Sequence, residues 1–265
     1  MSEHEIRLAG GEIDTHFHAL LVRSREVDVA GLLERCMASG LRSCLDVGTS
    51  ETDIEDRYRL LGGIPDVYFA HGLYPSNADR EDRDVALNAV EDALTMPRTV
   101  ALGEIGIDRY RDYATPELQR ELLLRQVNLA NLYSLPIIVH NRDAEDELLS
   151  AFAECSPTRE SVMHCYSGPA SLVSKFLDFG FSFSFGGNVT FRNASDVREA
   201  MLAVPLDRLM LETDAPYLSP HPRRGRTNHP GLIGYTYDLV AETRGLDRNE
   251  LVVSVAANAK RVFGI

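Results

Sequence analysis

The chain has 265 residues, 44% of them hydrophobic, and a formal net charge of −13 at pH 7. That length suits one α/β barrel with a full core. The acidic balance argues against a protein that grips nucleic acid by bulk electrostatics. No apolar run approaches the roughly 18–20 residues that a membrane span needs, so no membrane partner is expected. The polar stretch Met1–Gly11 lacks the apolar region of a signal peptide. Cys36, Cys44, Cys155 and Cys165 show no CxxC spacing and read as reduced thiols of a cytoplasmic protein.

In chain order, a first strand over Gly11–Thr15 runs into Asp14-Thr15-His16-Phe17-His18. Strand side chains alternate, so His16 and His18 share a face and Phe17 points away. Two imidazoles so placed can hold one metal ion, although HxH alone fits hydrogen-bonded strand histidines equally well. A helix over Val29–Ala38, stopped by Gly40, leads to a strand at Ser43–Val47. A helix over Thr52–Leu61 leads to a strand at Val67–His71, where His71 reads as a hydrogen-bonded core residue. A helix over Asp84–Leu94 precedes a strand at Thr99–Glu104, ending in Leu102-Gly103-Glu104-Ile105-Gly106. Thr115 and Pro116 open a helix over Pro116–Tyr133, followed by a strand at Pro136–His140. A helix over Ala144–Ala153 leads to a strand at Ser161–His164, and one over Ala170–Phe179, stopped by Gly180, to a strand at Phe181–Ser184. A helix over Ala194–Ala203 leads to the eighth strand, Arg208–Glu212, which runs into Thr213-Asp214. Helices over Ile233–Arg244 and Arg248–Val262 follow, the second opened by the capping box Asp247-Arg248-Asn249-Glu250.

Eight such units read as a (β/α)8 TIM barrel, one domain over residues 1–265, with its site at the C-terminal mouth. A doubly wound sheet fits less well, because no GxGxxG follows the first strand. In a barrel the strand ends converge, bringing together His16, His18, Glu104, His140, His164 and Asp214. Such a set suits two divalent ions about 3.5–4 Å apart with a bridging carboxylate. Glu104 is the expected bridge, with Gly103 and Gly106 leaving room for the ions. One ion falls to His16, His18, Glu104 and Asp214, the other to Glu104, His140 and His164. The only lysines, Lys175 and Lys260, lie away from strand ends, which excludes a carbamylated lysine as bridge. Glu212 is placed to orient a ligand histidine.

These residues resemble the TatD-type metal-dependent deoxyribonucleases of the amidohydrolase superfamily, over essentially the whole chain. The resemblance rests on Asp14-Thr15-His16-Phe17-His18, Gly103-Glu104-Ile105-Gly106-Ile107-Asp108, Pro136 to Ala144 and His164-Cys165-Tyr166-Ser167-Gly168. Gly187-Asn188-Val189-Thr190-Phe191, Glu212 to Leu218 and the closing Asn258 to Gly264 fit as well. It implies hydrolysis of DNA phosphodiesters, with DNA single-stranded or engaged at an end. The cofactors implied are two divalent ions per subunit (magnesium, manganese or zinc), held by the six residues above. It makes Asp214 the group that positions or deprotonates the attacking water, with Glu104 beside it in catalysis. Two departures bear on substrate choice. The family's Gly-x-His-Pro turn reads Gly72-Leu73-Tyr74-Pro75, so a tyrosine hydroxyl stands where a histidine is usual. In the loop Arg224-Gly225-Arg226-Thr227-Asn228-His229-Pro230, His229 replaces glutamate.

Substrate contacts are expected from Arg224, Tyr74 and Arg142, because guanidinium and hydroxyl groups match phosphate oxygens, with a carboxylate behind the ligands as the equal alternative for Arg142. Roles for Arg223 and Arg226 stay open. Tyr166 and Tyr217 either stack on a base or pack into core or rim. His4 and His221 carry no assigned role. No obligate protein partner is indicated. The alternatives are a small-molecule hydrolase acting on an amide, lactone or phosphoester, and a catalytically inactive binding scaffold; the complete ligand set disfavours the second.

Overall fold

The computed structural model describes residues 5–265; His4 and the start of the polar N-terminal stretch lie outside the described residues. Eight parallel strands, each paired to the next in sequence order, form a nearly closed (β/α)8 barrel. The first half comprises β1 (Ile13–Phe17), α1 (Ala19–Arg23), α2 (Val29–Ala38), β2 (Ser43–Val47), α3 (Ile54–Leu61), β3 (Val67–His71), α4 (Arg83–Ala93) and β4 (Thr99–Asp108). The second half comprises α5 (Pro116–Tyr133), β5 (Ile137–Arg142), α6 (Glu145–Glu154), β6 (Ser161–Met163), α7 (Val173–Asp178), β7 (Phe181–Phe185), α8 (Ser195–Ala203) and β8 (Leu209–Leu211). Two helices complete the chain, α9 (Ile233–Arg244) and α10 (Arg248–Phe263).

Local chemistry explains most boundaries. Thr115 Oγ1 accepts from Leu118 N at the start of α5, and Asp247 Oδ1 accepts from Asn249 N at 2.8 Å at the start of α10. Gly180 ends its helix with φ +82°. β1 begins two residues later than expected, because Gly10 and Gly11 take φ of +109° and +90°, outside extended backbone. β4 and β5 run longer than expected and pair to their ends, Ile107 with Asn141 and Asp108 with Arg142. β6 and β8 stop short, so His164 and Glu212 follow their strands directly. The helix expected from Ala170 becomes α7 only at Val173, after a 3-10 turn behind Pro169. The short α1 has no counterpart among the sequence-based expectations.

Two apolar layers hold the barrel. The inner one joins Ile13, Leu45, Val47, Ala70, Ala101, Ile138, Val162 and Met210 to Ala256, Ala259, Val262 and Phe263 of α10. The outer one lies between strands and helices and contains Phe17, Leu102, Ile105 and Ile107. Strict alternation would put Ile13 and Phe17 on one face. The register shift between Asp14 and Phe17 breaks it, sending Phe17 outward. A second shift, between Leu102 and Ile105, does the same on β4. Beyond β8 the chain returns to β1: Asp214 N donates to His16 O at 2.9 Å and His18 N to Ala215 O at 2.8 Å. Among the described residues no helix is long and apolar enough to cross a membrane.

Candidate metal centre

The barrel mouth holds a cavity of about 600 Å³, whose walls include His18, Glu104, His140, His164 and Asp214. Glu104, 3% exposed, stands at its floor, and its two oxygens face different histidines. Oε2 lies 3.6 Å from both His16 Nε2 and His18 Nε2. Oε1 lies 2.9 Å from both His140 Nδ1 and His164 Nε2. Asp214 Oδ1 is 3.5 Å from His18 Nε2. His16 and His18 bring their Nε2 atoms within 3.3 Å of each other, and His16 stacks on His164 at 4.0 Å between centroids. All six residues expected at the strand ends therefore meet in one site. Two triads have ligand atoms close enough to share an ion: His16, Glu104 and His164, and His16, His18 and Asp214.

The rings are held from behind. His18 Nδ1 meets Val47 O at 2.8 Å, His164 Nδ1 meets Glu212 Oε1 at 3.2 Å, and His140 Nε2 lies 3.3 Å from Asp108 Oδ2. Glu212 thus has the orienting place expected of it, and Ser184 Oγ donates to its other oxygen. Asp14 ties the two ends of the barrel: its carboxylate accepts from Thr213 N at 2.9 Å and Thr213 Oγ1 at 2.6 Å, fixing Asp214 beside His16. Burial is the main force pushing Asp14 up to about 7.

The electrostatics call for positive charge. Burial disfavours ionisation of Glu104, yet His164, His140 and His16 hold its carboxyl well below the usual carboxylate range. Burial likewise opposes charge on His18, but Asp214 and Glu104 raise it to about 9. His164 is raised well above the usual imidazole range against burial by Glu104 and Glu212, whereas burial and His164 lower His16. A site that draws protons onto buried histidines also favours a cation among their lone pairs.

Other residues named from the sequence fall both inside and outside the mouth. Gly103 and Gly106 do not make room for ions: a Cβ on Gly103 would lie 2.6 Å from Ile138 Cβ, and one on Gly106 would lie 2.0 Å from His140 O. Their job is close contact between β4 and β5. Arg224 stacks on Phe191 at 3.7 Å and lines a separate shallow cavity of about 220 Å³ with Leu218 and Arg226. Arg142 does line the mouth, stacked on Tyr110 at 4.0 Å. Tyr74 lines it too, but its hydroxyl is committed within the protein, 3.0 Å from both Asp108 Oδ2 and His140 Nε2. His229 is buried and absent from the mouth; a side chain at Gly231 would touch both its ring and Cys36 Sγ. Arg223 pairs with Glu5, and Ser219 Oγ donates to Arg226 O. Tyr166 is core, packed on Phe183, while Tyr217 stands half exposed at the rim, its ring edge-on to His18. His71 is a core histidine, 3.2 Å from Arg57 Nη1. Residues that sequence reasoning passed over include Asp108, Arg111, Tyr113 and Asn188, which also line the mouth. Asp108 was accessible: it follows Glu104 by four residues on one strand and so shares its face.

The family model described as TatD related DNase matches residues 13–264. An uncharacterized metal-dependent hydrolase of Bacillus subtilis, YabD, is 33% identical, covering 95% of this chain and 98% of its own. A Klebsiella pneumoniae protein named 3′-5′ ssDNA/RNA exonuclease TatD is 32% identical, covering 88% of this chain and 91% of its own. The crystal structure of YjjV, a TatD homologue from Escherichia coli, superposes with a TM-score of 0.86 at 28% identity, covering 96% of this chain and 98% of that one. The chain therefore belongs to the TatD related DNase family and is a metal-dependent hydrolase.

Proposed function

We propose that this hydrolase cleaves DNA phosphodiester bonds, on a single strand or at an end, with two divalent ions (magnesium, manganese or zinc) in the barrel mouth. The division of Glu104 carries the reading: one oxygen faces His16 and His18, the other His140 and His164. That is the arrangement a bridging carboxylate requires. The donor set fits, since imidazole nitrogens and carboxylate oxygens suit such ions. The contact between His16 Nε2 and His18 Nε2 at 3.3 Å also sets two lone pairs against each other unless a proton or cation intervenes. His16, His18, Glu104 and Asp214 would hold one ion, and Glu104, His140 and His164 the other. Ions held there supply positive charge to the phosphoryl oxygens and make water more acidic.

The chain's own groups do the rest. Asp214 takes the proton of the attacking water, the oxygen attacks phosphorus in line, and the P–O bond opposite breaks, its sugar oxygen leaving as an alcohol with a proton from solvent. Its side chain is 15% exposed, so it reaches the cavity while its backbone stays locked to His16. Arg111 and Arg142 line the mouth and present guanidinium groups to phosphates, giving an acidic protein a local basic wall. Tyr113 and Tyr217 offer partly exposed rings on which unpaired bases can stack. The exonuclease name of the Klebsiella relative supports the substrate class. The free thiols Cys36, Cys44, Cys155 and Cys165 support a cytoplasmic setting, and we read residues 1–265 as one domain.

Metal-stripped protein, reconstituted separately with magnesium, manganese and zinc, is assayed on end-labelled single-stranded DNA, duplex DNA, RNA and a chromogenic phosphodiester. Stepwise shortening of single-stranded DNA, with two ions bound per chain, is the expected result. Failure on all nucleic acids, with turnover of a lactone, cyclic amide or small phosphoester, moves the same site to the small-molecule reading.

A further inference from the structure

The contacts around Tyr74 point to a second use of that residue, and we propose that Tyr74 and Asp108 are positioning residues that lock His140 in the tautomer presenting its Nδ1 lone pair to the metal site. The inference rests on His140 being a ligand. Three polar atoms form a closed triangle on the side of His140 away from Glu104. Tyr74 Oη lies 3.0 Å from Asp108 Oδ2 and 3.0 Å from His140 Nε2, and that nitrogen lies 3.3 Å from the same Asp108 oxygen. The opposite oxygen, Asp108 Oδ1, accepts from the backbone N–H groups of Tyr110 at 3.0 Å and Arg111 at 2.8 Å, which fixes the carboxylate plane. Asp108 is 1% exposed.

With a cation in the site, proton counting sets the tautomer. A carboxylate oxygen only accepts, so the Tyr74 hydroxyl donates to Asp108 Oδ2. The remaining Tyr74 lone pairs and the same Asp108 oxygen then both face His140 Nε2. With a cation taking the Nδ1 lone pair, the ring hydrogen sits on Nε2, between these two acceptors. Nδ1 is left with its lone pair aimed at Glu104 Oε1, 2.9 Å away. Lone pair against carboxylate is unfavourable at that distance unless positive charge lies between them. The opposite tautomer would leave the Nε2 lone pair 3.3 Å from an anionic oxygen. This also explains why Tyr74 is a poor phosphate donor: its one proton is already engaged.

The ring state is read by two-bond proton–nitrogen correlation NMR on histidine-labelled protein, metal-free at alkaline pH and zinc-loaded, with His140 assigned from His140→Ala. Manganese binding is titrated directly for the wild type, Tyr74→Phe and Asp108→Asn. The expected zinc-loaded wild-type state is Nε2–H with Nδ1 free of hydrogen. Asp108→Asn replaces an acceptor with an amide that can donate to Nε2, so it should shift the ring toward Nδ1–H. Its manganese affinity should fall by about 10–100-fold, the usual cost of losing a partner behind a metal-bound histidine. Tyr74→Phe should fall by about tenfold, the low end of that range. Saturating manganese should return turnover in both variants with the Michaelis constant unchanged. Zinc-loaded wild-type His140 with its hydrogen on Nδ1 overturns the proposal. So does wild-type manganese affinity in both variants, or a raised Michaelis constant in Tyr74→Phe with metal binding intact, which would make Tyr74 a substrate contact. Should Asp108→Asn fail to fold, Tyr74→Phe and the wild-type tautomer still decide. A wild type that binds no manganese contradicts the two-metal function instead, and the shift of the metal-free ring between wild type and Asp108→Asn still tests the Tyr74–Asp108 lock.

Discussion

Asp214→Asn separates base from ligand at the point where the proposed mechanism is most exposed. Asparagine keeps the side chain's size and one oxygen, but is essentially no base at neutral pH. The backbone around it should not move. Asp214 N bonds to His16 O at 2.9 Å and Asp214 O receives Tyr217 N at 2.9 Å, and neither bond involves the side chain. The residue's φ of +52° is also one that asparagine tolerates well. Glu104, His16 and His18 remain to hold the nearer ion. Turnover should therefore fall by about 10²–10⁴-fold, equivalent to roughly 2.7–5.5 kcal/mol of transition-state stabilisation. The assay is single-turnover cleavage of a labelled single-stranded oligonucleotide, with metal content measured on the same samples and metal raised to saturation. A missing base cannot be replaced by more metal, so the deficit should persist. Turnover near wild type, or full recovery at high metal, refutes the base assignment and leaves Asp214 as a ligand only.

Glu104→Ala should remove both ions and abolish turnover, whereas His16→Ala and His164→Ala should each weaken mainly one; equal metal loss with milder activity loss in the glutamate variant would contradict the bridge. Arg142→Ala should raise the Michaelis constant on oligonucleotides and reduce its salt dependence by about one phosphate contact. Arg224→Ala, outside the main mouth, should leave both nearly unchanged in the same steady-state series. Arg57→Met should destabilise the fold by roughly 3–5 kcal/mol in urea titrations, because it strands the fully buried Asp46, whose Oδ2 lies 2.7 Å from Arg57 Nε. Burial and the neighbouring Arg57 push His71 down to about 3, so the native state stays neutral where an unfolded histidine would take a proton. Its contribution is complete above the unfolded value of about 6.5 and is lost at about 1.4 kcal/mol per pH unit as pH falls toward 3. His71→Phe should flatten that acid limb in stability measurements across the window.

What the sequence by itself determined was the architecture and the membership of the site. Alternating β-rich and amphipathic runs specify eight βα units, and the barrel rule that strand ends share one mouth brings His16, His18, Glu104, His140, His164 and Asp214 together without coordinates. Local signals sufficed for elements such as α5 and α10, whose caps act through neighbouring backbone. What only the tertiary structure decided was the direction and partnership of side chains. His16 and Glu104 point into the mouth because register shifts on β1 and β4 break the two-residue alternation, and such shifts arise from pairing with neighbouring strands. The role of Asp14, holding Thr213 across 199 positions, was likewise invisible to local pattern. So was the fate of the cations and aromatics around the mouth. Arg224 meets Phe191, Arg142 meets Tyr110, and the Tyr74 hydroxyl meets Asp108 and His140, all pairings between residues distant in the chain. Periodicity tells which face a residue occupies; which group satisfies it depends on long-range packing.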